Sequence, residues 1–391
     1  MFKIQTFNAI SVKGLERFSR ESYEVASDLN NPDAILLRSH KLTADDLPAS
    51  IQAVARAGAG VNNVPVAELT VRGVPVFNTP GANANAVKEL VVTAMLLGSR
   101  GILPGITYAQ SLSGISDSQE MNKLLEKEKK QFRGIELKGK TLGVIGLGAI
   151  GCLVTDIALS LGMNVIGYDP ALSIDAAWRL SNKVQRMENM QALLAKADFV
   201  SLHVPLLDVT RGLINADALA LMKPNACLLN FARGGIVDDQ AAIAALKAGG
   251  LRQYFTDFPT PDLIGVAGVT LMPHIGASTS ESEENCAVMA ADQLKDYLES
   301  GNIRNSVNFP AVYLERNAGY RLTVANDNVP KVLGSILSVL ADTNINVIDM
   351  INKSRDDIAY NVLDMEELPS ADVLAKIQAV EGVITVRLIN G

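Results

Sequence analysis

The chain has 391 residues, 42 acidic against 35 basic side chains, a formal net charge of −7 and 48% hydrophobic content. That length provides for two or three domains with sizeable cores. The acidity argues against nucleic acid or an anionic membrane surface as partner, so an anionic substrate must be met by cations placed locally. Cys152, Cys227 and Cys286 lie far apart without metal-ligand spacing, which implies a reducing compartment, no disulfide framework and no metal site. No run of about 20 apolar residues is long enough to span a membrane, and residues 1–10 lack a signal-peptide pattern, so a cytoplasmic location is expected.

Short apolar strands at 3–9, 34–38, 51–56 and 74–78 alternate with helical stretches, the rhythm of βα units around a parallel sheet. A long helix is predicted over 83–100, capped by Asn83 or Asn85 and carrying a stripe of Val87, Leu90, Val91, Ala94 and Leu97. Residues 111–134 are strongly charged and read as a solvated helix. The βα rhythm resumes at 141, with strands at 199–204, 226–230 and 269–272 and helices at 239–248 and 281–299. Residues 307–312, with Pro310, read as an exit linker. Beyond it the order β-α-β-β-α-β (320–325, 330–343, 346–353, 359–365, 372–380, 383–388) is the ferredoxin-like arrangement, read as a separate unit. The expected domains are therefore 1–100, completed by about 282–310, then 101–281, then 318–391.

The most informative segment is Leu142 to Gly151, an apolar strand breaking into Gly146, Gly148 and Gly151. In this G-x-G-x-x-G pattern the first glycine makes a tight turn, the second admits a pyrophosphate and the third lets the helix pack on the strand. The helix then aims its N-terminal N–H groups at the phosphates. The next strand, 163–168, ends in Asp169 at the distance where an acid bonds the adenosine ribose and repels a 2′-phosphate, which favours NAD over NADP. Cys152 stands at that helix N-terminus, where a thiolate is favoured, although a small buried hydrophobe is the simpler role.

Hydride transfer from an alcohol requires a proton acceptor and a cation for the substrate's anionic end. The chain has three histidines, His40, His203 and His274. His274 ranks first because it follows a strand at the sheet end where open α/β folds bind ligands. Arg233, flanked by Gly234 and Gly235, is suited to a bidentate grip on a carboxylate. Asp257 and Asp262 are both candidates to hold the histidine's second nitrogen, and either also suits a turn beside proline.

Residues 54–64, 77–83, the fingerprint, 230–235 and 273–279 stand together in an order that resembles the D-isomer-specific 2-hydroxyacid dehydrogenases over about residues 1–310. The resemblance implies a Rossmann nucleotide domain beside a flavodoxin-like substrate domain. It implies Arg233, His274 and Asp262 as catalytic, with Asp262 standing where the family has a glutamate. Ala149, Ile150, Asp169, Phe231, Ala232 and Asp257 would lie on the NAD. Arg38, Ser39, Arg56 and Asn83 match substrate-side positions, and Lys88, where a small residue is usual, adds a cation, so that Arg38, Arg56 and Lys88 form an electrostatic funnel. Residues 319–391 resemble an ACT regulatory domain, in which Asn326, Asn328 and Asn346 fall at effector positions and Lys331 replaces a glycine. Members with such a tail imply 3-phosphoglycerate as substrate, 3-phosphohydroxypyruvate as product, serine biosynthesis as setting, serine as effector and a homodimer or homotetramer. The alternatives are another 2-hydroxyacid dehydrogenase, acting on glyoxylate, hydroxypyruvate or D-lactate, and a non-catalytic NAD-sensing protein.

Overall fold

A computed structural model describes residues 1–316 and 319–389. The chain divides into two compact units, Met1–Asn83 with Ser280–Gly391 and Ala84–Thr279. In the first unit, β1 (Phe2–Phe7), β2 (Tyr23–Ala26), β3 (Ala34–Leu37), β4 (Ala53–Arg56) and β5 (Val76–Phe77) form a parallel sheet of order β2-β1-β3-β4-β5. That is the flavodoxin-like order. The continuous aliphatic run of β3 is buried throughout, as a parallel strand covered on both faces requires. Strand β2, Tyr-Glu-Val-Ala, has too little apolar signal to stand out and occupies the edge.

The helix Ser280–Ser300 packs on this sheet with Cys286, Ala287, Ala290, Ala291, Leu294 and Leu298. Its small residues allow close approach: a side chain built on Gly14 would sit 2.6 Å from the Ala287 Cβ.

The second unit is a seven-stranded parallel sheet of order β12-β11-β10-β9-β6-β7-β8. Its strands are β6 (Thr141–Ile145), β7 (Asn164–Tyr168), β8 (Gln185–Arg186), β9 (Phe199–Leu202), β10 (Cys227–Asn230), β11 (Gln253–Thr256) and β12 (Val269–Leu271). The order reverses between β6 and β9, which is the Rossmann switch point. The helix Ala84–Ser99 belongs to this unit, not to the first domain as expected. Its Val87, Val91, Ala94 and Met95 are buried in one core with Leu142, Val144, Phe199 and Leu229. The charged stretch expected as a helix over 111–134 is helical over Ser118–Glu128, followed by a short turn Lys129–Phe132, and a separate helix, Ile102–Ser111, precedes it. Among the described residues no single helix is long and apolar enough to cross a membrane.

The C-terminal residues form an antiparallel sheet of order β14-β15-β13-β16, from β13 (Tyr320–Asp327), β14 (Val347–Arg355), β15 (Ile358–Met365) and β16 (Val383–Ile389). With helices Val332–Asp342 and Ala371–Gln378 this is the expected ferredoxin-like fold. It is not a separate unit. Ala325, Ile358, Tyr360 and Val362 share a core cluster with Ile4, Phe77 and Leu298, because one face of the sheet is apolar and closes on the first domain. The expected exit linker is likewise a buried strap: Phe309 and Val312 are each 1% exposed, and the Asn308 side chain bonds the backbone of Val74 and Val76.

Candidate active site

Everything in the second unit that resembles a reaction site stands at the carboxyl ends of its parallel strands. After β6 the chain turns at Gly146 with φ +91, and a Cβ there would meet the His203 carbonyl oxygen at 2.6 Å. Gly148 then caps the helix Ala149–Ser160 without any side-chain bond, leaving the helix's first N–H groups facing outward. A Cβ on Gly151 would lie 2.1 Å from the Gly146 oxygen, so this third position admits only glycine. Asp169, one residue past β7, accepts the Leu147 N–H at 2.8 Å and the Ala171 N–H at 2.9 Å. These bonds fix an anion beside the glycine turn. Each carboxylate oxygen keeps a lone pair for a ribose hydroxyl.

After β10, the buried Asn230 staples the next loop. Its amide donates to the Arg233 carbonyl at 2.9 Å and accepts from the Ala232 N–H at 3.2 Å. Phe231 is thereby buried, Ala232 half-buried, and the half-buried Arg233 guanidinium rests on the Ala232 carbonyl at 2.9 Å. After β11 comes Asp257, 1% exposed. Its Oδ2 accepts the Gly276 N–H at 2.8 Å, whereas its buried Oδ1 meets no donor among the described residues. Burial pushes this carboxyl up, and the Gly276 N–H together with the charges of His274 and Arg233 pulls it back.

His274 has φ +52, a conformation rare for a side-chain-bearing residue. Its N–H reaches the Asp257 carbonyl at 2.9 Å, and its exposed ring stands 4.9 Å from that of Phe258. Arg233, Asp257 and His274 are therefore neighbours. The expected pairing of His274 with Asp262 is not found. Asp262 lies on the short turn Pro261–Leu263, exposed, and accepts from Gln240 at 2.9 Å. Among the described residues no carboxylate ion-pairs with His274. The turn directs this short side chain towards the helix Asp239–Lys247.

The other histidines are structural. His203 bonds Ser201 at 2.8 Å, and desolvation pushes it down to about 3, so it stays neutral. His40 stacks on Phe7 at 4.4 Å and reaches Asp46 at 3.3 Å. Burial raises the Cys152 thiol, foremost among several influences, and its Sγ donates to the Leu147 carbonyl, so no thiolate is favoured there.

The remaining expected residues are divided between the units. In the first, Arg38 pairs with Glu283 at 2.8 Å, and Arg56 donates to the carbonyls of Arg38 at 3.0 Å and Gly60 at 2.6 Å. Ser39 donates its N–H to Asn8 at 3.0 Å, and Asn83 is half-buried. Lys88 belongs to the second unit and bonds Asn85 on its own helix. In the C-terminal sheet, Asn326 is buried and accepts from Asn361 at 2.7 Å, Asn328 donates to the Asp356 carbonyl at 3.0 Å, and Asn346 is exposed. Asn326 is thus bonded within the sheet. Asn230 and Phe258 were missed in the sequence because their roles depend on contacts that no motif spacing encodes.

The pocket fits NAD on its own evidence. Glycine alone is tolerated at the turn, the helix N-terminus is uncapped, Asp169 is held in place, and the orphan Asp257 oxygen suits an amide donor. Residues 106–276 match the NAD binding domain of the D-isomer specific 2-hydroxyacid dehydrogenases. A D-3-phosphoglycerate dehydrogenase of Haemophilus influenzae is 32% identical over 403 residues, covering 99% of this chain and 94% of that protein. One of Methanocaldococcus jannaschii is 35% identical over 337 residues, covering 84% of this chain but only 61% of the relative, which is the longer protein. Rhodotorula graminis D-mandelate dehydrogenase has a similar solved structure, with a TM-score of 0.65 at 25% identity over 80% of this chain and 98% of its own. The chain belongs to the D-isomer specific 2-hydroxyacid dehydrogenase family.

Proposed function

We propose that the protein oxidises the 2-hydroxyl of 3-phosphoglycerate with NAD to give 3-phosphohydroxypyruvate, the entry to serine biosynthesis. The observation that carries this reading is the grouping of Arg233, Asp257 and His274 at the same end of the sheet as the glycine turn. The names of the Haemophilus and Methanocaldococcus relatives support the choice of substrate.

When bound, NAD supplies the hydride acceptor. Gly146 to Gly151 and Asp169 hold its pyrophosphate and ribose, and Asp257 offers its Oδ1 to an amide donor. A nitrogen of the exposed His274 ring takes the proton of the 2-hydroxyl. Arg233 grips the substrate carboxylate through parallel N–H bonds and fixes the reacting carbon. Asp257 is a positioning residue: its backbone carbonyl anchors His274 and its charge stabilises the imidazolium. Asp262 has no part in this chemistry. Lys88, in the same unit, would offer a cation to the substrate's phosphate.

We also propose that the C-terminal sheet is an ACT domain responding to serine, that the chain is cytoplasmic, and that it self-associates as a dimer or tetramer. The exposed apolar residues Leu96, Ile102, Leu103 and Ile106, 38–50% exposed, support the last point. The test is a panel of keto acids with NADH. Phosphohydroxypyruvate is expected to exceed glyoxylate, hydroxypyruvate and pyruvate at least tenfold in kcat/KM. A preference for an unphosphorylated acid overturns the substrate, and binding of NADH without turnover of any acid overturns the enzyme. Serine at millimolar concentration that neither inhibits nor raises Tm leaves the C-terminal sheet a structural role.

A further inference from the structure

A base in proton transfer is ordinarily oriented by a third group, most often a carboxylate on the histidine's second nitrogen. Among the described residues no carboxylate pairs with the His274 ring, and Asp262, the expected one, is engaged with Gln240. The ring is exposed, so burial does not hold it either. An exposed side chain free to change rotamer would face the substrate hydroxyl only part of the time.

What does touch the ring is Phe258. The two ring centroids are 4.9 Å apart with their planes at 48°, within the range of attractive aromatic pairs. Phe258 is itself held on both sides. Its N–H donates to the hydroxyl of the buried Thr256 at 3.1 Å, and Pro259 behind it disfavours any but an extended backbone. A Cβ built on Gly234 would lie 3.5 Å from the Phe258 Cβ, so this half-buried side chain also packs on the residue after Arg233. The end of β11 thus grips His274 twice. The Asp257 carbonyl takes its backbone N–H at 2.9 Å, and the next residue takes its ring.

Resting on the reading of His274 as proton acceptor, we infer that Phe258 is a positioning residue for the reaction. Its ring holds the imidazole in one orientation, doing by stacking what a paired carboxylate does by a hydrogen bond. A phenyl ring fixes the imidazole without occupying either nitrogen, so both stay free to take up and release the proton. Because the same side chain packs on Gly234, it also sets the imidazole against the Arg233 loop. The carboxylate grip and the proton acceptor are thereby kept at a fixed separation, as an oriented reaction requires.

The test pairs kinetics with ring dynamics in the full chain. The proteins are wild type, Phe258→Leu, Phe258→Met and Phe258→Tyr, each also combined with His274→Ala. With phosphohydroxypyruvate and NADH, the Leu and Met variants should lower kcat about tenfold while KM stays within about twofold. Phe258→Tyr keeps the ring and should stay within about twofold of wild type in kcat. In the His274→Ala background, removing the ring should cost nothing further, because the group it positions is gone. With isotope-labelled histidine and NADH bound, carbon relaxation should report an ordered His274 imidazole in wild type and Phe258→Tyr and a mobile one in Phe258→Leu and Phe258→Met. The His274 signal is the one absent from His274→Ala. An imidazole as ordered without the phenyl ring as with it overturns the proposal. So does a loss of kcat as large in the His274→Ala background as outside it. An unchanged kcat in His274→Ala overturns the reading of His274 and the proposal with it, whereas a large loss there beside an unchanged kcat in Phe258→Leu overturns the role of Phe258 alone. The relaxation readout needs no turnover, so it decides the role of Phe258 whichever keto acid is preferred. Phe258→Met keeps more of the side-chain volume, so the test survives if Phe258→Leu fails to fold.

Discussion

The carboxyl end of the seven-stranded sheet and the junction that fastens the C-terminal sheet both bury polar groups, but they spend them in opposite ways. At the junction Arg321 is fully buried and every donor is used. Its Nε and NH2 bind Asp364, NH1 donates to the carbonyls of Ser300 and Leu314, and NH2 also donates to Glu315. Tyr360 adds a bond to the Gly301 carbonyl at 2.8 Å, and Nη2 of Arg387 bonds the carbonyls of Tyr297 and Leu298, its buried Nη1 being the exception without a hydrogen-bond partner among the described residues. At the sheet end Asp257 Oδ1 is left without a partner, the helix at Gly148 is uncapped and the His274 ring is exposed. Saturated groups give cohesion; groups left unsatisfied are available to a ligand.

The largest effect that would sharpen this contrast is in activity. Replacing His274 by alanine should lower kcat about 10²–10⁴-fold. Tm should hardly change, because the ring is exposed. A kcat within twofold of wild type removes His274 from the chemistry. Next in size is the junction. Arg321→Met leaves Asp364 as a buried unpaired charge and should cost about 3–5 kcal/mol of stability. The double replacement Arg321→Met with Asp364→Leu should recover most of that loss, since two apolar groups need no partners. Denaturant unfolding measures both. If Arg321→Met is as stable as wild type, the junction is not held by its polar network and the contrast fails.

How far the sequence foretold these two regions differs for a physical reason. The glycine turn, Asp169, Arg233 and His274 were legible because backbone geometry and chemistry restrict those positions to one or two residue types. The β-α-β-β-α-β order was legible from periodicity alone. The junction was not. Arg321 reads as an ordinary strand arginine, and its partners Ser300, Leu314 and Asp364 are scattered, so nothing local distinguishes a buried arginine from a solvated one. The same limit made 307–312 look like a linker and placed helix Ala84–Ser99 with the wrong domain: an apolar stripe shows that a face is buried, but not against what. The partner of Asp262 was illegible for a related reason. The place of Asp262 in the motif is right, and the turn Pro261–Leu263 carries its carboxylate to Gln240.

Asp257 against Asp262 is therefore the next comparison. Burial raises the folded-state Asp257 carboxyl above its ordinary value, so the ionised form is disfavoured in the fold. Stability from this group is complete below the ordinary carboxylate range and is lost as pH rises through the raised value. Asp257→Asn should flatten that part of the stability profile while lowering kcat about tenfold or more, through loss of charge beside His274. Asp262→Asn, at an exposed site, should leave kcat within about twofold. The opposite ranking of the two variants would return Asp262 to the catalytic set.

The smallest expected effect concerns the strained entry to the C-terminal sheet's first helix. Lys331 caps the helix Val332–Asp342 with φ +80 and ψ −27, and its side chain makes no capping bond. A left-handed conformation costs a side-chain-bearing residue about 1–2 kcal/mol. Glycine removes that cost but releases about 0.4–1 kcal/mol of extra unfolded-chain entropy. Lys331→Gly should therefore stabilise the sheet by about 0.5–1 kcal/mol, read as slower hydrogen exchange in β13 and β15. Faster exchange would mean that Lys331 holds this turn through a contact of its side chain and that its backbone is not under strain. The saturated bonding seen at the junction would then extend across the sheet to this opposite end.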